Sequence, residues 1–354
     1  MRMCSRYKKS VPATENSDNN IMKHLLIIML FISILSCAGT SSVKEPDISM
    51  FIPNPAGDLP ITSFREVWGY VVAGSEAPLR RGLPITDVGY FGAEVSIYGK
   101  LINVPNRQNL SAFPGRVHLT VTCGNYALTY FVLLPGSPQR KELIDDLVEA
   151  TKNFDGLNID FENIPVRAGE SFLSFMRDLR QTLPADKMLT ICLYGRFRAN
   201  PNDVYDYARF VPYVDRIFVM AYDQHWSGSK PGPVSTLAWC HSVAEYSLRV
   251  TGADKLVMGI PFYGRAWEDH NHHRAYIYSG IQRLINTHNV KEIKREEGIP
   301  TFDYNATIGV KVYYDDAYSL SARMEMYKKM GVQAIGFWRI GQETPRVWDI
   351  LRIE

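Results

Sequence analysis

The stretch FDGLNIDFENIP, Phe154 to Pro165, sets Asn158, Asp160 and Glu162 at every second position of a segment that is otherwise apolar. Side chains alternate between the two faces of a strand, so these three share one face and Leu157, Ile159 and Phe161 share the other. Asp160 and Glu162 are then about 6 to 7 Å apart by strand rise. Two carboxylates that close, and partly dehydrated, push each other's proton affinities apart, one toward a proton-carrying acid and the other toward a charged stabiliser. Hydrolysis of a glycosidic bond uses that division: one acid protonates the leaving oxygen while a second group stabilises an oxocarbenium-like centre. The spacing leaves inverting and retaining chemistry both open. A structural carboxylate network or a solvated edge strand is the alternative reading.

Such a pair needs a scaffold that brings strand ends together. Short apolar segments rich in Val, Ile and Tyr recur at 65–73, 85–93, 116–124, 156–162, 187–195, 216–223, 255–264 and 332–340. They are nearly continuous in apolar character, as strands covered on both faces should be. Helical periodicity falls between several of them, at 138–154, 171–183, 241–251 and 319–331. Pro138 opens the first of these, and Gly331 closes the last at a C-cap position. Eight strands alternating with helices predict an α/β fold, a closed (β/α)8 TIM barrel, with Glu162 nearest the carboxyl end where barrel sites lie. A doubly wound open sheet is the alternative, but no GxGxxG follows the first strand, which argues against dinucleotide binding. The long stretch Trp267 to Lys311 predicts a small insertion between strands 7 and 8, over the barrel mouth.

Composition is that of an ordinary globular chain, 46% hydrophobic and 21% charged. The formal net charge is +2 with Lys and Arg scattered, which excludes an electrostatic footprint for nucleic acid. Met22-Lys23-His24 precedes the apolar run Leu25 to Leu35, the right length for a signal-peptide core. The run ends in Ile34-Leu35-Ser36-Cys37, which resembles a bacterial lipobox with Cys37 as the lipidated residue. The expected organisation is a leader and signal over 1–37, a tether over 38–63 and a barrel over 64–354. The expected location is extracytoplasmic, lipid-anchored to a bacterial membrane, with a secreted or periplasmic form as the alternative. Cys123, Cys192 and Cys240 remain, an odd number without CxxC spacing, so buried free thiols are expected and no thiolate metal site. The cluster His270-Asn271-His272-His273 lacks the spacing of a metal site and reads as a solvated loop.

The run Asp155-Gly156-Leu157-Asn158-Ile159-Asp160-Phe161-Glu162 resembles the DGxDxDxE signature of glycoside hydrolase family 18, the chitinase family, on its fourth barrel strand. Other segments match that family in order: Trp68-Gly69-Tyr70, Met220-Ala221-Tyr222-Asp223, Gly259 to Arg265, and Gly336-Phe337-Trp338. The resemblance implies Glu162 as general acid and base, with the substrate's own acetamido oxygen as nucleophile. It implies that Asp160 orients that acetamide, that Tyr222 hydrogen-bonds its oxygen, that Asp223 supports the polar contacts and that Trp338 forms the floor under the reacting sugar. Tyr70, Tyr263 and Arg265 would line the site, and Asp155 and Asn158, of the same motif, would contact the substrate. Trp226, in YDQHWSGSKPGP, is divided between loop packing and a sugar subsite. Asn158 departs from the family's Asp, and the expectation is that it still hydrogen-bonds Asp160. The implied partner is an N-acetylglucosamine-containing glycan, cut at β-1,4 linkages by a monomer without metal or organic cofactor. The segment YDQHWSGSKPGPVSTLAWCHSVAEY resembles the branch with spore-cortex and peptidoglycan hydrolases, so cell-wall glycan stands beside chitin. A non-catalytic sugar-binding relative is the rival reading, and the intact Glu162 argues against it.

Overall fold

The computed structural model describes residues 46–55, 57–268, 273–305 and 308–354. The leader, Cys37 and residues 270–272 of the His cluster lie outside these.

Eight parallel strands form a closed ring: β1 (Glu66–Val72), β2 (Asp87–Val95), β3 (Arg116–Cys123), β4 (Gly156–Phe161), β5 (Met188–Tyr194), β6 (Arg216–Met220), β7 (Leu256–Pro261) and β8 (Ala334–Trp338). Each pairs with its chain neighbour, and β8 returns to β1 with Gly336 opposite Trp68, which completes the (β/α)8 barrel. Helices α1 (Tyr126–Leu133), α2 (Pro138–Thr151), α3 (Gly169–Thr182), α4 (Tyr207–Phe210), α5 (Leu237–Thr251), α6 (Tyr278–Thr287) and α7 (Ala317–Lys329) follow in chain order. The link between β1 and β2 carries no helix. α3 shows the packing rule. Phe172, Phe175, Met176 and Leu179, spaced three and four apart, are all fully buried. Phe175 stacks on Phe161 with ring centroids 5.7 Å apart, so the apolar face of β4 meets the helix layer.

The barrel interior is filled by rings. Trp68 stacks on His118 at 4.5 Å, and Tyr70 meets Phe218 edge-on at 5.0 Å. Strand glycines make room for them: a Cβ at Gly89 would lie 2.5 Å from the Tyr70 ring, and one at Gly336 would lie 2.3 Å from that of Phe218.

Among the boundaries that differ from the sequence expectation, three change how an element is placed. The seventh strand leaves the barrel ladder at Pro261, and Tyr263–Glu268 opens a five-stranded antiparallel sheet with His273–Ile277, Lys294–Glu296, Ile299–Asn305 and Gly309–Tyr313. The insertion therefore begins at Tyr263, four residues before Trp267. The sixth strand ends at Met220, so Tyr222 and Asp223 stand in the loop above it. The C-terminal part of the expected tether is packed: Phe51 is buried, Tyr318 donates its hydroxyl to Pro53 O, and Thr62–Phe64 pairs with Leu351–Ile353. Apolar Phe51, Ile52 and Phe64 have a surface to cover, which a Pro- and Ser-rich composition does not reveal.

Candidate active site

Asn158, Asp160 and Glu162 climb the inner face of β4 in that order. Register sets Asn158 beside Thr120 and Thr190, and Asp160 beside Thr122. Glu162 lies one residue past the strand, its amide donating to Cys123 O at 2.9 Å. Asn163 then turns the chain with φ 54° and ties it back by donating to Gly124 O at 2.8 Å. Asn is among the residues that tolerate this left-handed conformation.

A cavity of about 310 Å³ opens at this end of the barrel. Asp160, Glu162, Tyr222, Asp223 and Tyr263 supply polar walls, and Phe91, Met220 and Trp338 supply apolar ones. Tyr70 and Cys192 also line it. The Trp338 ring is cornered by Phe91 at 5.0 Å and Tyr70 at 5.5 Å, which holds an apolar plane against the carboxylates. Such a flat apolar surface beside convergent polar groups suits a sugar ring.

Asp223 has φ 58°, and this turn directs its carboxylate to the insertion. Its Oδ1 accepts from the Tyr263 hydroxyl at 2.6 Å and from Arg265 at 2.8 and 3.0 Å, while Oδ2 accepts from Arg265 at 2.9 Å. The first insertion strand thus braces the loop after β6. Arg265 faces an adjoining hollow that shares Asp223, Tyr263 and Trp338 with the main cavity.

Burial, and then the charge of Glu162, pushes Asp160 up to about 7. Burial and the charge of Asp223 raise Glu162 above the ordinary carboxylate range. Burial holds the Tyr222 phenol protonated well above its usual value, so it presents an O–H donor. Asp160 can therefore carry a proton near neutral pH, Glu162 holds its own more tightly than a free carboxylate, and the two titrate as a pair.

The structure brings Asp160, Glu162, Tyr222, Asp223, Tyr70, Tyr263 and Trp338 to one cavity, with Arg265 behind it. Three other expected residues do not line the cavity: Asn158 is buried in the strand below it, and two more are elsewhere. Asp155 precedes β4, at the far end of the strand, where its carboxylate accepts from Val117 N at 2.8 Å and caps the strand start. Trp226 is 54% exposed in the loop after β6 and does not line the cavity; a Cβ at Gly228 would lie 2.5 Å from its ring, so it packs on its own loop. The expected Asn158–Asp160 hydrogen bond is also absent. Asn158 Nδ2 donates to Thr190 Oγ1 at 2.7 Å, and its Oδ1 accepts from Tyr70 at 3.0 Å and Thr120 at 3.4 Å, so the amide is engaged across the barrel. Phe91 and Cys192 were not anticipated. Period-two alternation along β2 and β5, extended inward as it was for β4, could have found both. Among the described residues no group of three or more His, Cys, Asp or Glu side chains is placed to hold a metal ion.

Residues 111–343 match the model for glycosyl hydrolases family 18. The protein YdhD of Bacillus subtilis (strain 168) is 30% identical over 216 residues, 58% of this chain and 51% of its own length. The cortical fragment-lytic enzyme of Bacillus anthracis is 25% identical over 291 residues, 75% of this chain and 67% of its own. The chain spans 51% and 65% of the first two curated relatives it matches. Among solved structures, the Bacillus cereus spore cortex-lytic enzyme SleL has a TM-score of 0.73 at 21% identity, covering 85% of this chain and 76% of that one. A chitinase from Chromobacterium violaceum has a TM-score of 0.72 at 20% identity, covering 81% and 97%. At these identities the structural likeness is one of fold. The family match runs over most of the barrel and includes both acids at the end of β4, and by it the chain belongs to glycosyl hydrolases family 18.

Proposed function

We propose that the protein hydrolyses β-1,4 linkages next to N-acetylglucosamine in chitin- or peptidoglycan-type glycans, with Glu162 as general acid and base. The observation that carries this reading is the pair Asp160 and Glu162 in one cavity, both holding protons more tightly than free carboxylates. Glu162, beyond the strand end, delivers its proton to the glycosidic oxygen and later takes one from water. Asp223, the third acid of the cavity, has its oxygens occupied by Tyr263 and Arg265 and is not free to attack a sugar carbon. The acetamido oxygen of the substrate then serves as nucleophile, the substrate-assisted route to retention. Asp160 orients the acetamide and stabilises the cyclic cation, Tyr222 donates to the acetamido oxygen, and Trp338 stacks beneath the ring. The names of the similar proteins, cortex-lytic enzymes and chitinases, support an N-acetylglucosamine glycan as the substrate class.

The test is release of a fluorogenic leaving group from N-acetylglucosamine oligomers of several lengths. Glu162→Gln is expected to lose on the order of 10²- to 10⁴-fold in kcat with little change in KM. If the wild type is as inert as the variant while both still bind the oligomers, the protein is a non-catalytic sugar binder and the hydrolase reading fails.

The apolar run before Cys37 supports an extracytoplasmic, lipid-anchored placement. Loss of fatty-acid labelling in Cys37→Ala is the expected outcome, and equal labelling in both would remove the anchor.

A further inference from the structure

Asn158 spends its amide on other strands, which leaves Asp160 without the neighbour its motif would supply. Asp160 Oδ1 is buried and has no hydrogen-bond partner. Across from it on β5, the Cys192 thiol lies 3.1 Å from the Tyr70 hydroxyl and 3.4 Å from Asn158 Oδ1. Ile159 pairs with Ile191 on β5, so Asp160 and Cys192, the next residue of each strand, stand side by side, and both line the cavity. The thiol carries one hydrogen, with the Tyr70 hydroxyl oxygen and Asn158 Oδ1 as acceptors and the Asp160 carboxylate beside it. We propose that Cys192 is the positioning residue for Asp160, its thiol hydrogen turning from Asn158 to Asp160 when Asp160 ionises.

This rests on the proposed hydrolysis, because it is in that reaction that Asp160 must ionise against the substrate acetamide. When Asp160 is protonated it needs no donor, and the thiol hydrogen points to Asn158 Oδ1. When Asp160 is charged, the thiol becomes a donor to it. Burial drives the thiol's own ionisation far above neutral, so it keeps the hydrogen throughout. The titratable groups facing Asp160 are Glu162 just past the end of its own strand, Tyr70 from β1, Cys192 and Tyr194 from β5, and Tyr222 from the loop after β6. Asp223 stands beyond Glu162. Strands β2, β3 and β8 face the cavity with uncharged Phe91, Thr122 and Trp338. Of these groups the tyrosine phenols and the thiol stay neutral at working pH, so the thiol acts as a hydrogen-bond donor and not as a charge.

Two measurements on the full chain test the proposal. In pH–rate profiles, Cys192→Ala removes a donor to the ionised acid and raises the acidic limb by roughly half a unit to one unit. It also lowers kcat about tenfold with a smaller change in KM. Cys192→Ser keeps a donor and returns the limb close to wild type. A limb unmoved in Cys192→Ala, with only a lowered Tm, would assign the residue to packing and overturn the proposal. The second readout needs no turnover: the S–H stretching band in the infrared difference between wild type and Cys192→Ser. It should shift as pH rises through 7 and stay still in Asp160→Asn. A band that does not move in the wild type overturns the proposal whether or not the protein hydrolyses anything. A moving band in a protein without turnover upholds the Cys192–Asp160 coupling and removes the hydrolase reading.

Discussion

Asp160 is an acid held where water is scarce, and the fold bears the cost. Its affinity for a proton rises from the ordinary 3.8 to about 7. A raised carboxyl means that the folded state binds more protons than the unfolded state between those two values. Stability therefore falls as pH rises from about 4 to about 7. The contribution of this one group is on the order of 2 to 4 kcal/mol at neutral pH, an upper bound for a coupled pair. Asp160→Asn should match wild type in Tm near pH 4 and exceed it above pH 7, while losing activity. A Tm difference that does not change with pH would show that ionisation of Asp160 is not what destabilises the wild type. The alternation of Asn158, Asp160 and Glu162 was legible in the sequence because it depends only on strand geometry. Where the Asn158 amide turns was not legible, because Thr190, Thr120 and Tyr70 come from three other strands. Asp155 and Trp226 misled for a different reason: motif membership and residue type were followed without place, although Asp155 opens the strand that Glu162 closes and Trp226 packs on its own loop.

At the scale of elements, the barrel supplies the acids and the insertion supplies their counter-charge. The stretch from Lys255 to Gly264 is apolar and extended throughout, so its periodicity does not mark where the ladder stops. The break is visible only in pairing: Phe262 N still donates to Trp338 O at 2.8 Å, and from Tyr263 the chain pairs with insertion strands instead. That change of partner brings Arg265 to Asp223, 42 residues away. Arg265→Ala removes the compensating charge and leaves the Asp223 carboxylate beside Glu162 unopposed. Glu162 should then hold its proton more tightly, so the basic limb of the pH–rate profile, where the general acid ionises, moves up by roughly half a unit or more. The rate should fall as well, since the brace on the loop after β6 is lost. A lowered rate with an unmoved basic limb would mean that the insertion positions the loop without acting on the electrostatics of Glu162.

Across the whole molecule the two ends of the barrel carry opposite electrostatic habits. The mouth gathers acids with raised proton affinity, whereas the closed end pairs its charges around Asp87 and Glu66. Asp87 is fully buried and accepts from Arg116 at 2.7 and 2.9 Å, with His118 Nε2 2.8 Å away. Arg216 reaches Glu66 at 2.5 Å, and Trp68 Nε1 donates to the same carboxylate at 3.1 Å. Burial alone would raise Asp87, but the hydrogen bonds from His118 and Arg116 outweigh it and draw the carboxyl down to about 2. A depressed carboxyl stabilises the fold fully above its ordinary 3.8, and that contribution is lost as pH falls through about 2. The two ends thus pull stability in opposite directions, the mouth favouring acid and the closed end resisting it. Asp87→Asn takes the buried charge away from Arg116 and His118, leaving Arg116 with Glu66 at 3.4 Å, and is expected to destabilise the fold. The deficit in urea midpoint should be largest above pH 4 and shrink toward pH 2, where the wild-type carboxyl is itself protonated. A deficit that stays constant from pH 2 to 7 would place the cost in packing around β2 and remove the charge network from the account of why this barrel closes.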